Sequence, residues 1–199
     1  IRGDDRIFTT LVPTLTAIQD EWFKENQARL FDDLINYFSE GMGNSGEFIQ
    51  DLALTRFINA INIYDGKGTL YNPFAGSATY GTELSGDGVY LGQELNPNIW
   101  AIGTMRLIAH SKDASHFYND DSIDHWNFYQ SEEKEYQDRL FDCIVATPPF
   151  GLKASEERLC GMRKVEDFLI DIGLSSISLD HGIAIFVLPQ NVTFNGGQS

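Results

Sequence analysis

The stretch from Phe141 to Gly151 reads Phe-Asp-Cys-Ile-Val-Ala-Thr-Pro-Pro-Phe-Gly. Cys143 to Ala146 are apolar, with the β-branched Ile144 and Val145 at the centre, as in a strand buried within a parallel sheet. Pro148 and Pro149 have no backbone N–H to offer a neighbouring strand, so the ladder must stop at Thr147. The chain therefore leaves the sheet at a strand's carboxyl end, the edge where open α/β sheets bind ligands. Thr147 and Phe150 stand beside the rigid turn, where a flat aromatic next to free carbonyls can receive a planar ring. A buried strand stopped by two prolines accounts equally well for these residues taken alone. The rest of the chain has to decide between the two accounts.

Upstream, apolar residues recur at steps of three and four. Leu11, Leu15, Ile18, Trp22, Leu30, Leu34, Ile35 and Phe38 predict helix from about Leu11 to Phe38, with Pro13 in its first turn. After the Gly41–Gly46 loop, a second helix is expected from about Asp51 to Ile63, with Leu52, Leu54, Phe57, Ile58 and Ile61 as its apolar positions. The rhythm then changes to short strands alternating with helices. Strands are predicted at Thr69–Tyr71, Val89–Glu94, Ser115–Tyr118, Cys143–Ala146 and Gly182–Leu188. Helices follow at Ile99–Ala109, capped by Asn96 and with Ile99, Ile102, Met105 and Leu107 spaced for burial, and at Val165–Leu179. Ser131–Leu140 reads as an acidic surface segment and Leu152–Met162 as a mobile loop of mixed charge. Such alternation implies a parallel sheet with right-handed crossovers and helices on both faces.

The chain has 199 residues, enough for one domain with a helical extension. Its 14 Lys and Arg against 29 Asp and Glu give a net charge of −15. That is the wrong sign for a stand-alone nucleic-acid binder, whose affinity comes largely from cations meeting phosphates. If the domain acts on DNA, most backbone contacts must come from elsewhere. Cys143 and Cys160 lack metal-ligand spacing and are expected to be reduced thiols of a cytoplasmic protein; the four histidines are scattered. No metal site and no membrane span are expected. The chain begins at Ile1 and ends in Gly-Gly-Gln-Ser, which predicts an excised piece truncated at its C-terminus.

Polar groups gather at the predicted strand ends. Asn72-Pro-Phe-Ala-Gly-Ser-Ala-Thr79 joins the first strand to a helix, and Gly76 lets the backbone approach a ligand at that helix's N-terminus. Glu94 ends the second strand, where an acid takes a ribose's hydroxyls in nucleotide-binding α/β folds. Asp120 and Asp121 end the third, in position to accept from an adenine amine. Each of these alone is matched by a structural turn or a solvated acid. Four strands that all end in polar candidates at one edge are hard to assign to chance.

With these residues in view, the chain resembles the N6-adenine DNA methyltransferases, above all the modification subunits of type I restriction systems, over roughly residues 46–195. Gly46-Glu-Phe-Ile-Gln50 is similar to the family's entry motif, so Phe48 would lie against the adenine of S-adenosylmethionine. The Asn72–Thr79 turn is similar to the methionine-binding turn, which implicates Asn72, Phe74, Gly76 and Ser77. Tyr90–Pro97 resembles the strand whose acid holds the ribose, which implicates Glu94 and Leu95, and Asp121 and Ser122 resemble the acid near the cofactor's adenine amine. Thr147-Pro148-Pro149-Phe150 falls on the catalytic tetrapeptide, and Ala184–Asn191 resembles the strand that follows it.

The resemblance implies a class I S-adenosylmethionine-dependent methyltransferase (Rossmann-like α/β) domain at 46–199 behind an N-terminal helical segment at 1–45. It implies N6-methylation of adenine in DNA, with recognition by a domain or specificity subunit outside this chain and a restriction subunit as a possible partner. Three departures qualify this. The tetrapeptide opens with Thr147 where the family has Asn or Asp. Asn72 and Ala78 stand where it has Asp and Gly, and Ile49-Gln50-Asp51 replaces Tyr-Thr-Pro. Two other readings therefore stay open: a cofactor-binding scaffold inactivated at Thr147, or a methyltransferase acting on RNA or a protein amide.

Overall fold

The computed structural model describes residues 20–41, 52–126, 140–149 and 151–192. The chain forms two compact units that divide between Gly43 and Asn44. In the first, helix α1 spans Asp20–Gly41, and Arg29 and Asp33 pair one turn apart on its exposed side at 3.8 Å. The predicted start of this helix and Pro13 lie outside the described residues.

The second unit runs α2 (Leu52–Ile61), β1 (Thr69–Asn72), α3 (Thr79–Glu83), β2 (Val89–Gln93), α4 (Pro97–Ala109), β3 (Phe117–Tyr118), β4 (Cys143–Ala146), α5 (Val165–Ser175) and β5 (Ile183–Phe186), then a short 3₁₀ turn at Gln190–Val192. The strands form one parallel sheet in the order β3-β2-β1-β4-β5. Leu70 of β1 sits opposite Tyr90 of β2 on one side and Cys143 of β4 on the other, so β1 is the central strand.

Strand alternation sorts the core into two faces. Leu70, Tyr90, Cys143 and Val145 point to one side and pack with Ile58 of α2, Tyr80 of α3 and Leu107 of α4. Tyr71, Leu91 and Ile144 point to the other, with Phe141, Trp126 and Phe186. Tyr71 stacks on Phe141 at 4.5 Å and meets the edge of Trp126 at 5.2 Å. α5 covers this second face, where Gly173 leaves room for the Phe186 ring that a Cβ would meet at 2.5 Å. At the strands' amino ends, Asp142 accepts from the Thr69 N–H at 2.7 Å and pairs with His181 at 2.6 Å. β1, β4 and β5 are thus pinned together opposite the ligand edge.

Several elements differ from their sequence expectation. The buried side of α4 is Gly103, Arg106 and Leu107, while Ile102 and Met105 stand 37% and 58% exposed. The cause is close approach: a Cβ on Gly103 would meet Phe117 at 2.6 Å, and Arg106 turns inward to reach Thr79. Phe57 and Ile61 of α2, expected as apolar packing positions, stand 60% and 52% exposed. The helix after the Pro-Pro turn ends at Ser175 rather than Leu179. Ser131–Leu140 falls outside the described residues except for Leu140, which is exposed.

The loop expected to be mobile after the Pro-Pro turn is anchored. Leu159 is fully buried against Val165, Phe168 and Leu169. Its mixed charges hid one apolar residue that the α5 surface receives. Leu159→Ala should therefore lower unfolding free energy by about 2–5 kcal/mol. Urea denaturation checks this, and a loss below about 0.5 kcal/mol would mark the loop as a loose surface segment.

Candidate active site

The strand order creates the site. The chain builds β1, β2 and β3 outward on one side, then returns to lay β4 on the other side of β1. The connections leaving β1 and β4 therefore diverge, and a crevice opens at their carboxyl ends. A pocket of about 600 Å³ occupies this crevice, within the usual span of about 300–1,000 Å³ for small-molecule sites. Its wall is built from the ends of four strands and from the loop after the Pro-Pro turn.

The β1 end contributes Phe74 and Gly76. Gly76 has φ +54° and needs the left-handed freedom of glycine. Ala78 also adopts φ 57° as it leads into α3, a conformation that costs a residue with a Cβ about 1–2 kcal/mol. The turn is held from below: Arg106, itself buried, donates to Thr79 Oγ1 at 2.6 Å. Asn72 and Ser77, expected to touch the cofactor, are both buried and do not line the pocket. Asn72 Nδ2 donates to Tyr90 Oη at 3.5 Å, and its Oδ1 is buried without a partner.

The β2 end contributes Glu94 and Leu95. One Glu94 oxygen accepts the Gly76 N–H at 3.0 Å and the other the Asn96 N–H at 2.7 Å. Burial pushes the Glu94 carboxyl above the usual glutamate value of 4.5, against the pull of these two backbone donors. Asn96 caps α4 by accepting from the Asn98 and Ile99 N–H groups, as its sequence position predicts.

The β3 end contributes Asp120, Asp121 and Ser122. Their carboxylates are already engaged. Asp120 takes His125 Nδ1 at 2.7 Å and Gln93 Nε2 at 3.2 Å, and its hydrogen bond raises the His125 pKa. Asp121 accepts the Ile123 N–H at 2.9 Å and Arg158 at 2.6 Å, while Arg158 also reaches Asp124 at 2.5 Å. An adenine amine meeting Asp121 would therefore share that oxygen with Arg158 or displace it.

The β4 end contributes Thr147 and Pro149, whereas Pro148 is buried. Tyr80 lines the pocket from α3. Burial raises its phenol to about 12, with the Thr147 hydroxyl pulling the other way. Phe48 and Phe150 lie outside the described residues. The structure thus gathers Phe74, Gly76, Glu94, Leu95, Asp121, Ser122, Thr147 and Pro149 around one pocket. Among the lining residues that sequence reasoning missed are Tyr80, Gln93, Lys153 and Arg158. Gln93 had a weak signal, an amide in an otherwise apolar strand. Arg158 had none, because its acid partners lie 37 and 34 positions away.

A family model described as N-6 DNA Methylase matches residues 25–168. Among solved structures, the chain is similar to the methyltransferase subunit of a type I restriction-modification system from Streptococcus thermophilus, with TM-score 0.59, 21% identity, 75% of this chain covered and 36% of that one. It is similar also to a modification subunit ascribed to a type I restriction enzyme from Vibrio vulnificus YJ016, at TM-score 0.64 and 16% identity, covering 90% and 42%. A third structure, concerned with complex assembly and conformational transition of the type I system, gives TM-score 0.63 and 17% identity, covering 85% and 38%. At such identities the likeness establishes the fold, and function has to be argued from the site. The chain spans under half the length of each of these structures. Comparison with curated proteins finds no match.

The Glu94 shift has a fixed sign. A carboxyl whose folded pKa is raised contributes stability that is fully present below the unfolded value, and that is lost as pH rises through the folded value. Carbon-13 NMR titration, with Glu94→Gln to assign the signal, should give a midpoint above 4.5. The Gly76 amide should titrate with the same midpoint. A midpoint below 4.5 would mean that the two N–H donors outweigh burial.

Proposed function

This chain belongs to the N-6 DNA methylase family, and on that premise we propose that its parallel-sheet unit is an S-adenosylmethionine-dependent methyltransferase acting on the N6 amine of adenine in DNA. We infer further that it works within a type I modification subunit, with residues 1–45 as a helical segment and 46–199 as the catalytic domain. The observation that carries the reading is that Glu94 and Thr147, from strands on opposite sides of β1, line one pocket.

The residues present fit the cofactor. A partly buried carboxylate at the β2 end offers remaining lone pairs to a ribose diol, and Phe74 and Leu95 supply apolar wall. Beneath the β1 turn, Arg106 brings a buried cation toward the end that would take the methionine carboxylate. S-adenosylmethionine supplies a methyl group already activated on a sulfonium. The protein's share of the work is to align amine, methyl carbon and sulfur.

Adenine's amine is a poor nucleophile because its lone pair is delocalised into the ring. Thr147 Oγ1 and the Pro148 carbonyl are the acceptors that would take its two N–H bonds and localise that pair, a form of oriented stabilisation usually worth about 10²–10³ in rate per group. Phe150 would stack on the base once it is flipped from the duplex. The net charge of −15 supports a division of labour in which phosphate contacts come from partner subunits.

Three measurements test this. Glu94→Ala should weaken S-adenosylmethionine by about 2–4 kcal/mol in calorimetric titration, and an unchanged affinity removes Glu94 from the site. Residues 1–199 alone should retard DNA weakly and without sequence preference in a low-salt gel shift; tight, specific binding overturns the division of labour. Within the complete modification complex, Thr147→Asn should speed tritium transfer from labelled cofactor to duplex DNA while cofactor affinity holds. If both proteins bind cofactor and neither transfers the label, the unit is a cofactor-binding scaffold.

A further inference from the structure

We propose that Tyr80 is a positioning residue for methyl transfer: its buried hydroxyl, unpaired in the free protein, takes the Thr147 O–H when the target amine is bound and leaves the lone pairs of Thr147 Oγ1 facing that amine. This inference rests on the function proposed above and concerns how the site works without the family's Asn or Asp.

A threonine hydroxyl carries one proton and two acceptor sites. An amine that donates both its N–H bonds needs lone pairs in front of it. If the Thr147 proton pointed into the pocket, it would oppose the amine's own protons. The proton has to be drawn aside, and an amide oxygen, having no proton, does not pose this problem.

Tyr80 is suited to drawing it aside. It is 2% exposed and lines the same pocket as Thr147. Its Oη is buried with no hydrogen-bond partner formed. The Thr147 hydroxyl nonetheless acts on it, opposing the rise that burial imposes on the phenol. Tyr80 also belongs to the core cluster with Leu70, Tyr90 and Leu107, and for packing alone phenylalanine would fill that space without a stranded hydroxyl. A buried polar atom left unmatched in the free protein calls for a reason, and the pocket wall supplies one.

In the reaction, the amine nitrogen bonds the methyl carbon as the carbon–sulfur bond breaks and leaves its electron pair on sulfur. The surplus N–H proton passes to water. Tyr80 takes no part in either bond change. It sets the direction of the Thr147 hydroxyl while the amine is bound.

A double-mutant cycle in the complete modification complex tests the assignment. Tyr80→Phe should slow tritium transfer by about 10–100-fold, the usual cost of losing a group that orients a site residue, with cofactor Kd unchanged. In the Thr147→Asn background the same change should cost less than about 3-fold, since the amide needs no orientation. The melting temperature of Tyr80→Phe should be unchanged or raised, because a stranded hydroxyl is removed. Equal losses in both backgrounds, or a lowered melting temperature, overturn the role of Tyr80 and leave the methyltransferase reading standing. Cofactor binding without transfer by any of the four proteins overturns both.

Discussion

The Glu94 carboxylate is the tie on which the ligand edge depends. It reaches across from β2 to the backbone of the β1 turn at Gly76 and, with its other oxygen, holds the start of α4 at Asn96. Two connections leaving adjacent strands are thereby locked to one charged group that is itself partly withdrawn from water. Burial opposes the charge and the backbone N–H groups favour it, so the carboxylate sits in a balance that a ribose diol would tip toward the charged form. A residue with no side-chain acceptor there would release both turns at once.

Behind this tie, buried polar groups fix the neighbouring strand ends. Gln93, wholly buried at the end of β2, accepts from Tyr71 Oη of β1 and donates to Asp120 and to the His125 carbonyl. A side-chain amide in that position carries the register of β1 across β2 to the loop after β3. Such a network is costly if any member is left unmatched and specifies one arrangement when all are matched. Arg158 adds the last strap, drawing the loop that follows the Pro-Pro turn onto Asp121 and Asp124, with Leu159 fixing its other side in the core.

Stability is given up where the chemistry would occur. Ala78 holds a left-handed conformation, Asn72 Oδ1 and Tyr80 Oη are buried without partners, and all three belong to the segment that joins β1 to the pocket. The opposite edge of the sheet contrasts with this, for there Asp142 binds both the Thr69 N–H and His181. The amino edge is braced by Asp142 although it too holds a buried hydroxyl without a partner, Tyr64 Oη, so what sets the carboxyl edge apart is the left-handed backbone at Ala78 beside the pocket.

How much could be read in advance follows from the range of the forces. The strands were legible because their signals are local: β-branched apolar runs at Cys143–Ala146 and Ile183–Phe186, a cap at Asn96, and two prolines with no N–H to donate. The alternation of elements was sufficient for a parallel sheet, and the handedness of crossovers for the ligand edge, so Glu94 and Thr147 could be named as site candidates from their strand ends alone. The sequence could not decide which side of a helix faces inward when close approach overrides periodicity, as on α4, where Gly103 and Arg106 take the positions expected for Ile102 and Met105. Nor could it pair Arg158 with Asp121 or bring Tyr80 to Thr147, because no local pattern relates residues that meet only after β4 returns beside β1. Local chemistry determined which elements form and where the strands meet the ligand edge, and the switch in strand order decided which of those ends share a pocket, since only packing gives distant residues a common surface.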